Sequence, residues 1–151
     1  MVPSRNYVLY PSTANTANGT GSIIVIPEDY SSVILVLNTS VVSGTSPTLN
    51  VYIQECFRVP TAGDTNDIST STVVANYTVF DDSVAFTQVT GTGTQILRWT
   101  GGGSNLGAVQ DAALAAGSVK SGPIGQTWRV KWVVGGTSPG FTFQVYGKFI
   151  F

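Results

Sequence analysis

The chain has no histidine, one cysteine and one methionine, and only 10% of its 151 residues are charged. Each shortage excludes something. Without histidine there is no imidazole general base, no serine or cysteine triad of the usual kind, and no imidazole ligand for zinc or iron. A lone cysteine, Cys56, cannot form an internal disulfide. Its place in an alternating pattern suits a small buried hydrophobe better than a reactive thiol. Globular domains usually carry about 25% charged residues, so much of this surface must consist of Ser, Thr, Asn, Gln and Gly. Seven Lys and Arg stand against eight Asp and Glu. The basic residues are scattered, which gives no electrostatic footprint for nucleic acid. Apolar runs such as residues 22–27 and 33–37 are far too short to cross a bilayer, so no membrane contact is expected. Residues 1–20 lack the basic stretch and apolar core of a signal peptide, so the chain is expected to start in a cytoplasm.

What the chain has in abundance is strand-forming residues. Val, Ile and Thr number 48, and 16 residues are aromatic; both classes fit a pleated surface. One turn-like motif occurs twice, as Gly44-Thr45-Ser46-Pro47 and Gly136-Thr137-Ser138-Pro139. Gly offers unusual backbone angles, Ser bonds neighbouring amides and Pro removes a ladder donor. Each copy lies between strand-like runs, residues 33–37 and 49–53 in one case, 128–134 and 141–146 in the other. The local pattern therefore predicts two similar β-hairpins, either equivalent positions in a pseudo-symmetric sandwich or two uses of one turn.

Other strands are expected over residues 22–26, 73–80, 85–90 and 94–100, with Gly91-Thr92-Gly93 joining the last two as a hairpin. Residues 1–21 read as an N-terminal arm or edge strand, and residues 22–151 as one β-sandwich domain. The Ala-rich stretch 106–116, within an insertion over residues 101–126, allows one short helix. Trp128, Val130, Trp132 and Val134 share one face, as do Phe141, Phe143 and Val145; these are the core candidates. About eight strands at such spacings fit an all-β fold, an antiparallel β-sandwich of jelly-roll type.

Chemistry is sparse. Asp81-Asp82 is an adjacent acidic pair, and a solvated turn explains it. Asp64, Asn66 and Asp67 lack the further oxygens and terminal Glu of a calcium loop. Gly101-Gly102-Gly103 lacks the Lys-Ser/Thr of a phosphate loop. No cofactor, metal or catalytic residue is assigned, and no enzyme activity is expected. Trp128 and Trp132 suit the core. Trp99, beside Arg98 and a Gly-rich stretch, is the candidate for an exposed ring that stacks on sugars.

The stretches 42–51 and 128–143, with Phe86-Thr87-Gln88-Val89-Thr90-Gly91-Thr92-Gly93-Thr94-Gln95 between them, resemble small β-sandwich virion proteins of tailed bacteriophages, of the capsid decoration or cement type. The quoted stretches span 36 of the 151 residues and consist of turn and strand signatures. It implies a virion protein, made in the host bacterial cytoplasm, that binds the major capsid protein or other virion proteins and forms a homo-oligomer, by analogy a trimer. Arg5, Tyr7 and Tyr10 are the capsid-contact candidates, since Arg and aromatic residues are enriched at interfaces. The alternative is a phage surface or tail module that recognises host glycans through Trp99.

Overall fold

The computed structural model describes residues 3–26, 29–58, 77–100, 115–119 and 125–151. Among them are seven strands: β1 (Ser4–Asn15), β2 (Gly19–Thr20), β3 (Ile24–Val25), β4 (Ser32–Arg58), β5 (Tyr77–Ala85), β6 (Gly93–Thr100) and β7 (Thr127–Ile150). All pairings are antiparallel, and they form one curled sheet.

The sheet is built around two very long strands. β4 and β7 pair along nearly their whole length, from Ser32 opposite Ile150 to Glu55 opposite Trp128. The two Gly-Thr-Ser-Pro motifs meet in the middle of this ribbon, with Thr45 opposite Thr137 and the register shifting on either side. They are paired β-bulges, not hairpin turns. The local chemistry is as expected. Gly44 and Gly136 have φ of 104° and 105°, and Ser46 and Ser138 both have φ of 48°. The correction is in the pairing: residues 33–37 do not fold back on 49–53, but pair with β6 and with the end of β7. Bulges add twist and bend a strand, so each long strand passes from one layer of the molecule to the other at this point.

The two motifs are related by a local dyad. Val42 pairs with Phe141 and Leu49 with Val134; Gly44 and Gly136 are 92 positions apart, and so are the members of Val42/Val134 and Leu49/Phe141. The relation extends outward. Tyr10 of β1 pairs with Val145 as Val84 of β5 pairs with Ile53. Ile24 of β3 pairs with Trp128 as Ile96 of β6 pairs with Val36. Of the two alternatives the repeat left open, the pseudo-symmetric one is found.

One layer thus runs β1, β7 (residues 140–150), β4 (32–43), β6. The other runs β2 and β3, β7 (127–135), β4 (48–58), β5. Counting each long strand twice and β2 with β3 once gives eight segments in the orders 1-8-3-6 and 2-7-4-5, the double Greek key of a jelly roll. The all-β antiparallel class is as the composition predicts. The hairpin expected at residues 91–93 is absent, because β5 and β6 pair with opposite halves of β4. Residues 86–92 cross between layers; within the expected strand 85–90, Ala85 ends β5, the Phe86 amide donates to the Val51 carbonyl, and Val89 forms an isolated bridge to Leu49. The short helix proposed for residues 106–116 lies almost wholly outside the described residues.

The core fills the space between the layers. Leu35, Leu37, Phe143, Val145 and Phe149 come from one side; Leu49, Val51, Ile53, Trp128, Val130 and Trp132 come from the other. Rings bridge the layers, with Trp128 5.2 Å from both Trp99 and Phe149, and Trp132 4.7 Å from Tyr10. The expected core residues are all buried except Val134, which is partly covered. The indoles also find polar partners, as buried indole N–H groups require: Trp128 donates to the Gly125 carbonyl and Trp132 to that of Ala17. Burying each large side chain contributes about 1.5–3 kcal/mol.

Candidate functional site

The residues singled out in the sequence fall in different surroundings. Arg5 is exposed on β1, opposite Phe149. Tyr7 is half-buried and packs edge-on to Phe149 at 5.3 Å. Tyr10 is buried; its ring lies against Trp132 and Phe143, and its hydroxyl donates to Asn15 Oδ1 at 2.9 Å. Strand β1 is therefore an edge strand seated in the sheet, and Arg5 alone of the three is exposed. Trp99 is only 2% exposed. On β6, Ile96 and Arg98 face outward, so Trp99 turns inward onto Trp128. The exposed position proposed for it is not found.

The sequence reading missed a polar cluster on the outer side of the second layer. Asp82 lies in strand β5, 2% exposed, rather than in a solvated turn. A bulge at Ser83, between the pairs Ile53–Val84 and Gln54–Asp82, puts the carboxylate beside β4 and β7. The Lys131 ammonium donates to both of its oxygens at 2.8 Å, and Gln54 Nε2 donates to one of them at 2.7 Å. Arg129 Nε donates to Gln54 Oε1 at 2.7 Å. The cations also lie over rings, Arg129 at 3.3 Å from the Phe80 centroid and Lys131 at 4.6 Å from that of Tyr52. Charge-assisted bonds of this kind are short and strong. The set ties β5 to β4 and β7.

Glu55 and Asp81 are register partners across β4 and β5 and so share a face. This pairing brings together carboxylates that are remote in sequence. Both Glu55 oxygens accept hydrogen bonds, from the Ser83 hydroxyl at 3.2 Å and from the Gly125 amide. Its charge reaches two neighbours. The Tyr30 phenol is pushed well above its usual range, first by burial and then by Glu55. Burial pushes the Cys56 thiol up to about 12; Arg129 opposes that rise and Glu55 adds to it. A thiol so held stays protonated and is a poor nucleophile, in line with the buried role expected for it.

A cleft of about 320 Å3 lies at the end of β6, lined by Thr39, Val89 and the Gln, Thr and Gly residues from 88 to 95. No charged side chain lines it, so it offers no counter-charge to a phosphate or a metal ion. Among the described residues, no group of three His, Cys, Asp or Glu side chains is placed to hold a metal. No family model, curated protein or solved structure matches the chain.

Proposed function

We propose that this chain is a structural virion protein of a tailed bacteriophage, a capsid decoration protein that binds the major capsid protein and stabilises the head. The observation that carries this reading is the jelly-roll order locked by two unbroken long strands. It makes a stiff platform whose outer faces are free to serve as contact surfaces. The step from platform to particle is an analogy, supported by the likeness of the two Gly-Thr-Ser-Pro stretches to small virion proteins and by the use of jelly rolls in capsids. Repetition over many sites would then turn modest contacts into firm attachment. The glycan-binding alternative loses its proposed platform, because Trp99 packs inside the core.

The test is a quantitative mass-spectrometric census of purified particles. A decoration protein is expected at hundreds of copies per particle. A few copies would favour a receptor-binding role, and absence from the particle would end the proposal.

A further inference from the structure

Four side chains form an apolar row across the outer surface of the first layer. Val8, Tyr146, Val36 and Ile96 are successive register partners on β1, β7, β4 and β6. Register partners in an antiparallel sheet project from the same face. This face points away from the core, because the alternating neighbours Val145, Leu35 and Leu37 are buried between the layers. Val8 is 62% exposed and Ile96 60%, more than any other large apolar residue described. Tyr146 is half-buried and Val36 is 8% exposed, so the exposed apolar area sits at the two ends of the row; exposed apolar groups rimmed by polar ones mark a contact surface.

The charge beside the row is of one sign. Two positions along the strands, Lys148 and Arg98 both stand opposite Ile34. Both are exposed, and among the described residues neither has an ion-pair partner. The described carboxylates are elsewhere: Glu55, Asp81 and Asp82 belong to the second layer, and Asp29 accepts from Gln126.

We infer that this face is where the chain docks on its capsid partner, and that the partner offers an apolar surface bordered by carboxylates. The inference rests on the virion role proposed above and gives it a face and a chemistry. An acidic rim would neutralise both cations. A second copy of the same face would not, because it carries no described carboxylate. Two cations are too few to hold a nucleic-acid backbone against salt.

Particles produced without this chain, mixed with purified protein, provide the test. Ile96→Asp and the double reversal Arg98→Glu/Lys148→Glu are each expected to weaken binding at least about tenfold. Val133→Asp is the control. Val133 is also exposed, but it lies opposite Asn50 on the second layer, and its binding is expected to stay within about threefold of wild type. Raising salt should weaken the wild type but not the double reversal. Should Ile96→Asp melt early by circular dichroism, the charge reversal decides alone. Equal binding by wild type and both variants would overturn the assignment of the face while leaving the virion role standing. If the wild type does not bind and is also missing from native particles, both fall. Preferential binding to phosphatidylglycerol vesicles over particles would also overturn the inference, in favour of a lipid surface.

Discussion

Removing the Asp82 carboxylate would leave the Lys131 ammonium over Tyr52 without its counter-charge, and would leave Gln54 Nε2 without an acceptor. Breaking a fully buried pair costs about 3–5 kcal/mol. The Lys131 side chain keeps 29% of its exposure, so water repairs part of the loss, and Asp82→Ala is expected to cost about 2 kcal/mol in urea denaturation. A double replacement, Asp82→Leu with Lys131→Met, should recover most of that, because it leaves no lone charge behind. Cys56 supports a second expectation at this scale. Its thiol is raised in the fold from an ordinary 9.0 to about 12, so the native state holds its proton more tightly than the unfolded chain. The resulting stability is complete below pH 9 and is lost as pH rises from there through 12. Cys56→Ala should flatten stability over that alkaline window. In native protein at pH 8 the thiol should resist a thiol-specific reagent and should react at once in denaturant.

At the scale of the element, the crossing of the two bulges is the most demanding geometry in the fold. A Cβ at Gly44 would stand 2.6 Å from the Ser138 carbonyl and 2.9 Å from Pro139 Cα; one at Gly136 would stand 2.6 Å from the Ser46 carbonyl and 3.0 Å from Pro47 Cα. These are backbone atoms and cannot swing aside, and both glycines have a φ that other residues seldom adopt. Gly44→Ala and Gly136→Ala are each expected to cost more than about 2 kcal/mol. Because the dyad makes the sites equivalent, their thermal midpoints should fall by similar amounts; a large difference would contradict the symmetry. The same motifs show what could be read from the chain alone. The need for Gly, Ser and Pro at these positions was legible, because it is local. The partner of each strand was not, because turn and bulge use the same backbone angles and the pairing is set by residues about 90 positions away. Strand alternation marked Phe141, Phe143, Trp128 and Val130 as core. It also implied an inward Trp99 once Ile96 and Arg98 faced outward, but the glycines that follow Trp99 suggested exposure instead. Asp82 gave no local signal. One extra residue, Ser83, turns it toward cations that lie far along the chain.

At the scale of the molecule, neither half holds a complete layer. β1 leans on the end of β7, and β5 leans on the end of β4, so each part of the chain supplies what the other lacks. Peptides covering residues 3–58 and 77–151 are expected to be unfolded separately and to regain a β-type circular-dichroism spectrum when mixed; an independently folded fragment would count against this interleaving. Most sheet pairings join residues far apart in sequence, so refolding of the whole chain should be slow, on the order of milliseconds to seconds or longer. The 27 residues of β4 carry this cost during synthesis. They leave the ribosome well before β7, the strand that will cover their long edge, has been translated. Until then they present an open ribbon of hydrogen-bonding groups to every neighbouring nascent chain. A cell making this protein in quantity would need either chaperone occupancy or a fast passage from ribosome to finished sheet.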